Sequence, residues 1–372
     1  MKNMFKLLLA ALLVFAAACE KPQPDPEPDD TIVLEPVDTT ATENYLHALV
    51  LNEGPQGNMA SLSYLDLAAG TIENHWFSIH NGRELGDVAQ DLIVYGTKAY
   101  VTVWGSGCLE AIDTATGIAT HVDLGNRGPR YMAADGGKLY VTCYNPAGII
   151  RIDTATLQVE ATCLLGAYNP EGIAIAAGKL FAVSSWIGEA QSEITYDDKV
   201  YVVDMATFAN PTPIVVGKNP QNIMAVDDNH LVVNCWGEWN MDNGSTEGDG
   251  SAIIDANTLA VTQTGQLLTK MTVADGKIFG YASTYDASWN MTTTFLRIDL
   301  PSMAVSTILP GCGINNPYAI AVHPVSGNIY IGTDGNYATN GDLYCFTPDG
   351  TRLWKREVGM LPSKVVFLKS EK

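Results

Sequence analysis

The sequence predicts an all-β fold, a seven-bladed β-propeller closed by a C-terminal strand that completes the first blade. Three observations predict it: a marker that recurs seven times, strand chemistry between the markers, and an orphan strand after the last one. The marker is an apolar residue, Asp, and then a Thr/Ala-rich turn. It occurs at Leu65-Asp66, Ile112-Asp113, Ile152-Asp153, Val203-Asp204, Ile254-Asp255 and Ile298-Asp299, with a degenerate copy at Phe346-Thr347-Pro348-Asp349-Gly350. A fixed period of this length is the signature of a repeat architecture.

Ahead of each marker lies a short apolar strand: "ALVLN", "AYVTVW", "LYVTCY", "LFAVSSW", "LVVNCW", "IFGYAS" and "IYIGTD", in chain order. Between markers, period-2 runs of Val, Ile, Tyr and Thr are punctuated by hairpin signals such as "ADGGK" from Ala134, "AAGK" from Ala176 and "ADGK" from Ala274. Four short strands per unit, seven times over, describe radially arranged sheets. A solenoid of strands has shorter coils than these units. The last segment, "SKVVFLK" from Ser363 to Lys369, reads as the innermost strand of a unit that has no successor, and the unit starting near Tyr45 lacks that strand. Joining the two removes both exposed edges.

Of 372 residues, 47% are hydrophobic, 17% are charged and 34 are Gly, which describes a globular, turn-rich chain. Residues 1–19 read as a leader: Lys2 and Lys6 precede an apolar run from Leu7 to Ala18 that is too short to span a bilayer. Residues 20–44, dense in Pro and acid, read as an extended, self-repelling tether. The propeller takes up 45–372.

Beyond Cys19, the six cysteines Cys108, Cys143, Cys163, Cys235, Cys312 and Cys345 show no disulfide framework, no CxxC pair and no Cys/His cluster that suggests zinc. They read as buried strand residues, with room for one disulfide between blades. The net charge is −20, and the tether contributes eight acids against Lys21. The remaining acidic surface disfavours nucleic acid, whose binding needs a basic footprint.

The alternating strands of each unit put the "DGGK" and "DTAT" turns on one face. The opposite face carries the irregular loops, where function concentrates. At the end of the second strand stand Trp104, Tyr144 (followed by Asn145), Trp186 and Trp236, with Tyr285, Trp289 and Tyr337 close to the equivalent place in the last two units. The links into each first strand supply Asp91, Arg130, Glu171, Gln221, Lys270 and Tyr318. Two readings fit the aromatics: wedges between blades, or the floor of an aromatic, amide-bearing ligand basin. The basin also explains the long Asn-, Asp- and Gly-rich loops beside them.

No GxSxG elbow and no His pair at metal spacing occurs, so the reading is a non-enzymatic binding protein without a cofactor or resident metal. Glu171, Asp91 and Asp334 are the acids that a metal-dependent propeller hydrolase of lactonase type would draw on. Binding of a glycan or partner protein is the other alternative.

Several stretches resemble known families. "VFAAAC" resembles the bacterial lipoprotein signal, in which Cys19 becomes the lipidated first residue; otherwise Cys19 ends an ordinary secretory signal. The acidic residues after it resemble the signal that carries lipoproteins to the outer face of the outer membrane in Bacteroidetes. "AYVTVW" and "LYVTCY" look like the YVTN-type propeller repeat. With "LNEG" at 51–54, "LSYLD" at 62–66, "LGDVAQDL" at 85–92 and "GPRYMA" at 128–133, the chain resembles the surface-exposed cobalamin (vitamin B12)-binding propeller lipoproteins of gut Bacteroidetes. That resemblance implies capture of cobalamin or another corrinoid, passed to a TonB-dependent outer-membrane transporter, with the membrane engaged only through the lipid.

Overall fold

The computed structural model describes residues 44–370, apart from 167–168, 188–194, 241–244 and 286–289. The leader with Cys19, the tether up to residue 43, and Trp289 lie outside the described residues. Seven four-stranded antiparallel sheets form the seven blades, and a small hairpin, Glu238–Asn240 with Ser245–Glu247, projects from blade 5. From blade 2 onward the innermost strands are Ala89–Tyr95, Pro129–Asp135, Pro170–Ala176, Pro220–Ala225, Lys270–Ala274 and Pro317–Val322.

Blade 1 is built from both ends of this ring. Its second strand, Asn44–Asn52, pairs antiparallel with Pro362–Ser370, with Leu51 opposite Lys364 and His47 opposite Leu368. The strand Pro362–Ser370 touches the inner strands of blades 7 and 2, and every other inner strand likewise touches its two neighbours. The circle is closed without a free inner edge.

The core is divided among the blade interfaces. Among the described residues, seven apolar clusters lie one between each adjacent pair of blades. Leu49, Leu62 and Val101 meet between blades 1 and 2, for instance, and Val50, Tyr330 and Leu343 between blades 7 and 1. A second strand is therefore buried on both faces, which is why "AYVTV" and "LYVTC" read as continuous apolar runs.

The Asp marker has a local cause. The carboxylates of Asp113, Asp153, Asp204 and Asp255 accept the N–H of the Thr three residues on, at 2.8–2.9 Å. The residue four beyond each Asp then turns left-handed: Gly117, Leu157, Phe208 and Leu259 have φ of 73°, 59°, 48° and 63°. A side chain in that region costs about 1 kcal/mol. Leu157, Phe208 and Leu259 offset it by packing into the interface clusters. Thr154 donates from both N–H and Oγ1 to the Gly137 carbonyl, at 3.0 and 2.9 Å, so the two turns share one face as the sequence predicts.

One feature departs from the sequence reading, and the cysteines follow that reading except for Cys312, which is half-buried and lies off the strands. A short helix, Trp76–Asn81, follows the outer strand of blade 1, burying Trp76 and Phe77 between blades 1 and 2. No disulfide joins blades among Cys108, Cys143, Cys163, Cys235 and Cys312, and Cys345 is buried in the cluster between blades 7 and 1. Among the described residues no helix is long and apolar enough to cross a membrane.

Candidate functional site

On the face opposite the Asp turns, the residue ending each second strand is tied to the link that enters the same blade. Trp104 N–H donates to Val88 O, Tyr144 N–H to Gly128 O and Trp236 N–H to Asn219 O, at 2.9, 3.2 and 3.0 Å. In blade 4 that place belongs to Ser185, whose N–H donates to Asn169 O. Counted from the lysine that faces each Asp marker, Trp186 stands seven residues after Lys179, whereas Trp104 and Tyr144 stand six after Lys98 and Lys138, so Trp186 lies one residue beyond the expected place, opposite Tyr196. In blade 7 the place belongs to Asp334, and Tyr337 sits on the one-turn helix after it.

The first-strand residues also fall in two registers. Asp91 and Lys270 precede the residue paired to mid-strand two, whereas Arg130, Glu171, Gln221 and Tyr318 stand one position earlier. Six of the seven inner strands carry a bulge near their start, and Arg130, Glu171, Gln221 and Tyr318 lie within it, whereas Asp91 stands just after the bulge of its own strand.

Arg130 is the centre of the largest cluster. It donates to Glu171 through Nε at 2.9 Å and Nη2 at 3.1 Å, lies 4.9 Å from the Tyr144 ring and 5.8 Å from the Trp104 ring, and is backed by Tyr131. The Tyr144 hydroxyl donates to the same Glu171, which is only 4% exposed. Burial alone would lower the guanidinium, but Glu171 outweighs it and holds Arg130 above its ordinary value. Burial, then Glu171, raises the Tyr144 phenol, which stays a donor. A buried carboxylate costs several kcal/mol unless fully partnered, and here Arg130 and Tyr144 partner it.

Across the channel, Lys270 Nζ donates to Tyr318 O at 2.7 Å and lies 4.5 Å from the Tyr318 ring centre. The Tyr318 hydroxyl donates to Glu53 at 2.7 Å. Lys364, from the closing strand, donates to Asp91 at 2.6 Å, and the other Asp91 oxygen accepts Met132 N–H at 2.9 Å. Sequence reasoning missed Glu53, Tyr131 and Lys364. The recurring Pro that opens "PRYMA", "PEGIA", "PQNIM", "PYAIA" and "PSKVV" was the signal that aligns the inner strands. These polar groups rim a channel cavity of about 370 Å³ whose deeper wall is Ile173, Ile223, Met271, Ile320 and Val365.

Outside this rim the face is open. A shallow groove of about 490 Å³ runs past Gln56, Asp87, Trp104, Asn126 and Tyr144. Asn145 is exposed beside it, its amide reaching Asn126 O. Trp236 is 46% exposed even though its Nε1–H donates to Thr269 O, and Tyr285 and Tyr337 are 54% and 62% exposed. Gln221 is half-buried and donates to Asn219. The aromatics thus divide. Trp104 and Tyr144 are half-buried against Arg130, whereas Trp236, Tyr285 and Tyr337 present ring surface to solvent.

The three acids a metallohydrolase would draw on are committed separately: Asp91 to Lys364, Glu171 to Arg130, and Asp334 to Asn316 and the Asn336 N–H. A different donor group, Cys108 with Glu110 and His121, does meet in the outer half of blade 2, where the sequence shows no cluster.

No family model matches the chain, and no curated protein matches it. Solved structures do. A quinonprotein alcohol dehydrogenase-like protein from Bacteroides thetaiotaomicron superposes with a TM-score of 0.59 at 17% identity, over 87% of this chain and 79% of that one. Hydrazine synthase of Kuenenia stuttgartiensis gives 0.54 at 18% identity over 68% and 74%. The dihydro-heme d1 dehydrogenase NirN gives 0.53 at 11% over 93% and 83%. At these identities the likeness is one of fold.

Lys270 gives the site a pH signature. Burial pulls its pKa from 10.5 down to about 8, against the pull of Glu53 and with the push of Lys364. The unfolded chain therefore holds this proton more tightly, and stability rises with pH between about 8 and 10.5. Below about 8 the whole cost is present. The stability of Lys270→Met relative to the parent should thus improve by up to about 3 kcal/mol as pH falls from 10.5 to 7. Denaturant melts at the two pH values check this; a pH-independent difference contradicts it.

Proposed function

We propose that this chain is a lipid-anchored surface protein that captures cobalamin or a related corrinoid on the face bearing Trp104, Tyr144, Trp236, Tyr285 and Tyr337, and hands it to a TonB-dependent transporter. The observation that carries the reading is the construction of that face. Exposed aromatic rings and neutral amides surround a rim in which Arg130 is paired with Glu171 and Lys364 with Asp91. A broad ligand edged with amides needs flat apolar contact and many neutral hydrogen-bond partners, and this face offers both. The channel, at about 370 Å³, suits a rigid support better than a corrinoid pocket. With Arg130, Glu171, Asp91 and Lys364 engaged with each other, binding without chemistry is the reading they favour.

The test is calorimetric titration of cyanocobalamin into the purified propeller. Buried or anchored aromatics at binding surfaces typically cost about 2 kcal/mol or more when truncated, or roughly thirtyfold in affinity. Trp236→Ala should weaken binding by about that factor with the fold intact, since nearly half of its ring is exposed. Thr154→Ala, on the opposite face, should leave affinity unchanged. If the parent binds no corrinoid but retains an oligosaccharide, the face is a glycan platform and the corrinoid reading fails.

The address rests on the lipoprotein-like leader. Cys19→Ala should release the chain from the membrane fraction; a variant that still pellets with outer membranes would mean that a protein partner holds it.

A further inference from the structure

Blade 2 carries a second set of chemically capable side chains outside the face described above. Cys108 and Glu110 lie two residues apart on its third strand, Cys108–Asp113, and so share one side of the sheet. Strand pairing sets His121 directly across from Glu110 and Asp123 directly across from Cys108. Cys108 and Glu110 are 2% and 0% exposed, whereas the His121 side chain is half exposed at the outer edge. The thiol, carboxylate and imidazole donor atoms all lie within 4.8 Å of one another.

The hydrogen bonds divide the two Glu110 oxygens. Oε2 is taken by Arg83 Nη2 at 2.6 Å, while Oε1 faces His121 Nδ1 at 2.7 Å and also receives Arg83 Nη1 at 2.9 Å. Arg83 itself is seated over the Phe77 ring at 4.9 Å, on the loop after the short helix. It therefore fixes the carboxylate with Oε1 turned toward the imidazole. An ion pair accounts for Arg83, Glu110 and His121, and the Cys108 thiol, a member of the apolar cluster between blades 1 and 2, comes within the same 4.8 Å.

We propose that Cys108, Glu110 and His121 form a Zn²⁺ site, with Arg83 as the outer partner that orients Glu110. One sulfur, one nitrogen and one oxygen donor suit a borderline cation such as zinc, and three protein ligands leave a fourth position for solvent. Donors around a tetrahedral zinc stand about 3 to 4 Å apart, so the 2.7 Å His121–Glu110 pair must open a little and the widest separation, at most 4.8 Å, must close, changes on the scale of a rotamer adjustment. Asp123 adds negative charge beside Cys108. On binding, the thiol proton leaves to solvent, a sulfur–zinc bond forms, and no electron changes hands. The ion ties the edge strand Ala119–Asp123 to its neighbour, and the residue after that strand, Leu124, donates its N–H to Gly107 O in the turn that follows Trp104.

The experiment uses the chelator-washed mature chain, with Zn²⁺ titrated calorimetrically and Co²⁺ as the optical probe. One Co²⁺ per chain with a thiolate-to-metal charge-transfer band is expected in the parent. Cys108→Ser should abolish the band, and His121→Gln should weaken Zn²⁺ by more than about tenfold. Absence of stoichiometric uptake by the parent, or an unchanged band and affinity in both variants, would overturn the proposal. If circular dichroism shows Cys108→Ser to be misfolded, His121→Gln carries the test alone, since its side chain lies half outside the fold.

Discussion

The whole arrangement depends on one pairing, that of the strand Asn44–Asn52 with the strand Pro362–Ser370. It closes the ring, and it also assembles the channel mouth. Glu53 follows directly from the first of these strands and Lys364 lies on the second. Between them they partner Tyr318 of blade 7 and Asp91 of blade 2. The charge balance at the rim therefore exists only in the closed ring, and the same hydrogen bonds that seal the fold prepare its face.

Between blades the seal is polar as well as apolar. Thr102 donates to Arg130 O, Thr142 to Glu171 O, Asn234 to Leu268 O and Tyr281 to Pro317 O, each from a second strand to the inner-strand start of the next blade or the link leading into it. These bonds fix the backbone of the residues whose side chains form the site. Each is modest in net worth, about 1 kcal/mol, but each would leave a buried carbonyl unsatisfied if lost. A face held this way can present aromatic rings with little ordering left to do when a ligand arrives.

Much of this was legible in the sequence for a simple reason: the Asp turn, the doubly buried second strand and the orphan last strand are local signals repeated many times. Trp104, Arg130, Tyr144 and Glu171 were found because they recur at the unit's irregular end, and the structure brings these four into one cluster. Trp186 was misplaced by one position because "LFAVSSW" runs one residue longer than "AYVTVW", and Ser185 rather than the Trp holds the equivalent place. Lys364 and Glu53 were missed because their partners, Asp91 and Tyr318, lie at the other end of the chain. The Trp76–Asn81 helix went unread because six residues are too few for a helical period to show. The Cys108, Glu110 and His121 group is invisible as a spacing and appears only through cross-strand register.

The central claim, that the ligand lies on the face of the second-strand ends, is tested most directly by hydrogen exchange with and without cyanocobalamin. Amides of residues 104–107, 144–145, 236–237 and 334–337 should gain protection, while the Asp turns at 114–116, 155–156, 206–207 and 257–258 should not change. Protection confined to the Asp turns, or none on either face at saturating ligand, would contradict the account.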